Sequence, residues 1–96
     1  MPAYVIADVE VLDREAIKEY QKRVPETLAP FGGRFLVRGG ACETLEGDWQ
    51  PQRVVVIEFP DAASAKAWYN SPAYREVLPI RWRYSRARFL FIAEGV

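Results

Sequence analysis

The chain has no histidine and a single cysteine, Cys42. Without histidine it lacks the side chain that ordinarily titrates near neutral pH, and the commonest ligand for metals and haem. One cysteine is too few to complete an ordinary zinc site from a single chain. No metal and no other cofactor is therefore expected. An intrachain disulfide is impossible, and a reducing compartment is the simplest assumption. The N-terminal stretch Met1-Pro-Ala-Tyr-Val-Ile-Ala-Asp8 reaches an acid too early for the apolar region of a signal peptide. No apolar run approaches the roughly 20 residues needed to cross a bilayer. These absences point to a cytoplasmic protein without a membrane partner. Charge of neither sign dominates, since 13 basic residues balance 13 acidic ones. Such a chain has no bulk electrostatic reason to seek nucleic acid. Repeats, linkers and low-complexity segments are missing too.

What remains suits one packed domain over residues 1–96, half hydrophobic and 14% aromatic. Residues 3–11 alternate as a strand, with Val5, Ala7, Val9 and Val11 on one face and Tyr4, Ile6, Asp8 and Glu10 on the other. One dry face and one mixed face imply a sheet covered by helices on one side only. Asp13 is suited to cap a helix whose stripe runs Ile17, Tyr20, Val24, Leu28, Phe31. Pro25 falls inside that stripe and predicts a kink, and Gly32-Gly33 predicts its end.

A second strand follows over residues 34–38, with Gly39-Gly40 as a bend or bulge. The chain is expected to continue extended from Cys42 to Leu45 and to turn through residues 46–51. The third strand spans 53–59 and contains the β-prone run Val54-Val-Val-Ile57. Asp61 caps a second helix with Ala62, Ala65, Trp68 and Tyr69 inward, broken at Ser71-Pro72. A short helical stretch through Tyr74, Val77 and Leu78 is expected to stop at Pro79. The last strand covers 87–93. The order β-α-β-β-α-β predicts an α+β ferredoxin-like fold, an antiparallel four-stranded sheet with its helices on one face.

Five ordered motifs carry a resemblance. Gly32-Gly-Arg-Phe-Leu-Val-Arg-Gly-Gly40, Leu45-Glu-Gly-Asp-Trp49, Glu58-Phe-Pro60, Ala67-Trp-Tyr-Asn-Ser-Pro-Ala-Tyr74 and Glu94-Gly95 resemble domain-of-unknown-function family 1330 over nearly the whole chain. The resemblance implies a dimeric α/β-barrel assembly, in which two ferredoxin-like sheets face each other around a pocket. Superfamily relatives include cofactor-independent monooxygenases, isomerases and lactonases, and the resemblance implies no catalytic residues.

Independently, Ile6, Leu36, Val54 or Val56, and Leu90 form an apolar patch that no helix of this chain remains to cover, which predicts a homodimer. Asp8, Arg38 and Glu58 sit on strands among apolar neighbours and are candidates to line a pocket between the two sheets. A structural ion-pair network explains the same three residues, with Asp8 and Glu58 as the partners of Arg38. Tyr4, Trp68 and Tyr74 are the aromatic ligand-binding candidates, against core packing as their simpler role. Arg81, a further ligand-binding candidate, opens a basic-aromatic stretch, Arg81-Trp-Arg-Tyr-Ser-Arg-Ala-Arg88, that strand alternation explains better than nucleic acid does; a salt bridge across the dimer is the alternative role for Arg81. Cys42 and the serines have no base to activate them.

Two functions of different class fit these residues: a homodimer binding a small polar or aromatic metabolite, and a cofactor-free oxygenase or isomerase using Asp8 or Glu58 as base with Arg38 stabilising an anion. A purely structural or regulatory dimer is the third.

Overall fold

A computed structural model describes residues 1–96. The elements are β1 (Ala3–Val11), α1 (Lys18–Leu28) with a tight turn at Ala29–Phe31, β2 (Arg34–Arg38), β3 (Val54–Phe59), α2 (Ala62–Tyr69), α3 (Pro72–Tyr84) and β4 (Ser85–Glu94). The sheet order is β2-β3-β1-β4 and every pairing is antiparallel. This is the ferredoxin-like arrangement that the sequence predicts. Ala3, Val5, Ala7 and Val9 of β1, with Ile57 and Phe59 of β3, are buried on the face that meets the helices. No helix is long and apolar enough to cross a membrane.

The helix ends follow local chemistry. Asp13 accepts hydrogen bonds from the amides of Glu15 and Ala16, holding the turn that leads into α1. Asp61 accepts from the Ser64 amide at the start of α2; these hydrogen bonds hold its carboxyl below the usual range. The segment 29–31 ends at Gly32, whose φ of 71° lies in the left-handed region where glycine is favoured. Ile17, Val24 and Leu28 of the expected stripe are buried. α2 is pinned to α1 by a relay. Trp68 Nε1 donates to Thr27 Oγ1 at 2.9 Å, and that hydroxyl donates to the Val24 carbonyl at 2.7 Å.

Three expectations need correction. The helix expected to stop at Pro79 runs on to Tyr84, because proline removes one backbone donor while burial continues on both sides of it. The buried positions are Tyr74, Val77, Leu78 and Arg81, a single helical stripe whose last member is an arginine. Second, the strand alternation is interrupted twice. In β2, Phe35 pairs with Ile57 and Val37 with Val56, so Leu36 is the extra residue of a bulge and Arg38 lands opposite Val55. In β4, Phe89 pairs with Asp8 and Ala87 with Val9, leaving Arg88 extra. Third, Leu90 pairs with Ala7 and faces the helices. The open face is built instead from Ile6, Val54, Val56, Phe89 and Phe91, with Leu36 and Val37 at its edge.

Candidate functional site

Between the sheet and the helices α1 and α3 lies a chamber of about 60 Å³. Its walls come from every layer: Val5, Ala7 and Val9 of β1, Val24 of α1, and Trp68 and Tyr74 beneath. Small β1 side chains leave the space, since alanine at position 7 stands where a larger aliphatic residue would fill it.

The polar groups that reach this chamber are few, chiefly two tyrosines and three arginines. Tyr20 on α1 and Tyr74 on α3 join their hydroxyls at 2.7 Å across the helix pair. Burial pushes both phenols above the usual tyrosine range; for Tyr20 the neighbouring Tyr74 adds to that, while for Tyr74 the shared hydrogen bond opposes it. Both are therefore neutral and act as hydrogen-bond donors and acceptors, never as phenolate bases at ordinary pH. The pair holds two phenolic hydrogens and one bond between them uses only one. Tyr74 is further wedged against Trp68, ring centres 4.1 Å apart.

Arg81 completes the cluster. It is 6% exposed, lines the chamber, and its Nε has no hydrogen-bond partner. Its charge favours ionisation of both phenols, against the larger effect of burial. No carboxylate stands within ion-pairing distance of it: the ion pairs of the chain join Lys18 to Glu15, Arg23 to Glu19 and Glu76, Arg34 to Glu58, and Arg86 to Glu10.

At the rim, Arg38 reaches across from β2 to α1, where its Nη2 donates to the Gln21 carbonyl. That carbonyl is the one Pro25 leaves without an amide, because residue 25 would ordinarily donate to residue 21. The guanidinium also lies over the Phe35 ring, 4.3 Å from its centre. Next to Arg38, Gly39 has a φ of 73°. A Cβ there would come within 2.5 Å of the Arg53 guanidinium, so glycine leaves room for that side chain beside the end of β2. Arg53 lines both the chamber and a wider polar recess of about 470 Å³ outside it, to which Arg14, Lys18 and Glu10 also contribute.

The sequence candidates divide between the two faces of the sheet. Arg38, Trp68, Tyr74 and Arg81 line the helix-side chamber. Asp8, Glu58 and Tyr4 belong to the opposite face, where Asp8 pairs with Val54, and Tyr4 with Glu58. The expected partnership of Arg38 with Asp8 and Glu58 is not formed. Glu58 is bound by Arg34 at 2.7 Å. Asp8, fully buried, spends Oδ1 on the amides of Gln52 and Arg53, each at 2.9 Å, and so fixes the entry into β3; its Oδ2 is left without a partner. The bulge at Leu36 is the cause, because it moves Arg38 to the other face. The role expected for Arg81 in a salt bridge across the dimer does not fit its position in the core. Tyr20, Gln21 and Arg53 also belong to the site, and only Tyr20 carried a signal, its place in the apolar stripe of α1. No cluster of three or more histidine, cysteine, aspartate or glutamate side chains is placed to hold a metal ion.

Comparison with known proteins places this architecture. The DUF1330 family, a domain of unknown function, matches residues 2–96. Among solved structures, a protein of unknown function from Rhodopseudomonas palustris is similar at 21% identity and a TM-score of 0.75, covering 99% of this chain and 82% of its own. A dimeric ferredoxin-like protein of unknown function from Jannaschia is similar at 14% identity and a TM-score of 0.72, covering 99% of this chain and all of its own. SnoaB, a cofactor-independent oxygenase from Streptomyces nogalater, is similar at 14% identity and a TM-score of 0.63, covering 99% of this chain and 95% of its own. No curated protein matches the chain. At these identities the likeness is one of fold.

Proposed function

The chain belongs to the DUF1330 family, and we propose that it is a homodimer in which each protomer binds a small organic molecule in its own chamber between the sheet and the helices. The chamber is the observation that carries this reading. A well-packed domain of this size fills its core with side chains, yet here a partly open, mostly apolar space adjoins a tyrosine pair and a buried arginine.

The dimer rests on the other face of the sheet. Leu36, Val37 and Phe91 are 47%, 38% and 46% exposed, and Trp49 folds against Phe89 beside them with ring centres 5.3 Å apart. A second copy of the same face is the natural cover for such a surface, as the dimeric relative from Jannaschia suggests.

An oxygenase or isomerase that uses Asp8 or Glu58 as base gains no support from this geometry. Both carboxylates lie across the sheet from the chamber; Glu58 is paired with Arg34, and Asp8 is held through one oxygen by two backbone amides. The phenols that do face the chamber are held neutral. Binding is thus the reading that the geometry favours.

The test uses the three tryptophans, of which only Trp68 lines the chamber. Dissolved xenon, a neutral apolar probe, is titrated while the indole N–H signals are followed by NMR. The expected result is a saturable shift at Trp68 with Trp49 and Trp82 nearly still. Equal shifts at all three, or none, would count against the chamber as a binding site.

A further inference from the structure

We propose that the chamber is a carboxylate site, in which Arg81 and the spare hydroxyl hydrogen of the Tyr20–Tyr74 pair hold the acid group of a short organic carboxylate. The proposal rests on the chamber being a binding site and adds the chemistry of what enters it.

Arg81 carries the argument. A guanidinium does not shed its proton inside a protein, so burial leaves it charged. An unpaired buried charge is costly, and a chain under no other demand would place leucine at this position of the stripe. The stripe itself says so, since Tyr74, Val77 and Leu78 precede Arg81 at the spacing of core residues. The charge is nonetheless retained with Nε unpartnered. Nothing in the chamber wall neutralises it, for the wall includes Arg38, Arg53 and Arg81 and no aspartate or glutamate. The missing counter-charge must come from the occupant.

The remaining features narrow its class. A planar, forked donor matches a carboxylate in two parallel hydrogen bonds. The neutral tyrosine pair supplies a further donor, while the Tyr74 hydroxyl, close enough to accept from the guanidinium, carries no charge to balance it. The apolar walls reward a carbon body, which chloride and inorganic phosphate lack. At about 60 Å³ the chamber equals roughly two water molecules' share of liquid volume, about 30 Å³ each. It admits the acid group and a short chain; a longer body would extend into the recess, where Arg14, Lys18 and Arg53 outnumber Glu10 and favour the approach of anions.

The experiment compares acetate with its neutral counterpart acetamide at fixed ionic strength, reading the Trp68 indole signal. Acetate should saturate the shift, and acetamide should bind at least tenfold more weakly. Arg81→Met should abolish the acetate response while keeping the xenon response, and its melting temperature without ligand should equal or exceed that of the parent. Arg81→Gln, which keeps donors but not charge, serves if the methionine variant does not fold, and should lose acetate likewise. Acetamide binding as well as acetate, an acetate response that survives loss of the charge, or chloride saturating the signal equally would each overturn the assignment. So would a lower melting temperature of Arg81→Met without ligand, which would make the arginine structural. Xenon binding without acetate binding would overturn the carboxylate assignment alone; failure of both would remove the chamber reading with it.

Discussion

Pro25 leaves the Gln21 carbonyl without an amide, and Arg38 supplies the donor from another element. At the scale of single residues this makes Arg38 a positioning group for α1, and the two residues should be energetically coupled. Arg38→Met should destabilise the protein by about 1.5–2 kcal/mol, the lower part of the range for a charged hydrogen bond because the side chain stays exposed. In a Pro25→Ala background, where residue 25 can donate to Gln21 again, the same change should cost much less. Urea unfolding of the four variants measures the coupling, and additive effects would show that the two residues act independently. Asp8 makes a similar case on the opposite face. Asp8→Ala removes the acceptor of two backbone amides and should cost about 2–3 kcal/mol, whereas Asp8→Asn retains an oxygen at that place and should cost distinctly less.

At the scale of elements, the tyrosine pair joins α1 to α3 and gives the protein a defined alkaline limit. Burial raises both phenols, so the folded chain keeps its protons at a pH where the unfolded chain loses them. The resulting stability is fully present below the ordinary tyrosine value of about 10 and is lost as pH rises above it. Thermal melts from pH 8 to 11 should show a fall that Tyr20→Phe makes shallower; an identical slope in that variant would contradict the assignment.

The element scale is also where the sequence was informative and where it stopped being so. Alternation in β1, the stripe of α1 and the caps at Asp13 and Asp61 were all legible, because each depends on neighbours within a turn or two. The site was less so. A bulge at Leu36 reverses the face of Arg38, and another at Arg88 breaks the phase of β4. Bulges are set by cross-strand register, which a single strand's pattern does not record. Arg81 was legible as a residue of interest. Its burial was hidden by Pro79, which reads as a stop to a helix that in fact continues.

At the scale of the whole molecule the proposed function divides two tasks between the faces of the sheet, with association assigned to the open face and binding to the chamber on the other. Light scattering at micromolar concentration should give twice 11.0 kDa. Phe91→Glu, which sets a charge in the centre of the open face, should yield folded monomer with the chamber intact. A parent protein that is monomeric under these conditions would remove the dimer from the account.

The most direct test of this separation is a crystal pressurised with xenon, whose anomalous scattering marks where apolar space exists. One xenon site is expected inside each protomer, in contact with Trp68 and Val24 between the sheet and α1. Xenon lying between the open faces of two sheets, with none in the chambers, would contradict the account and return the binding site to the dimer interface.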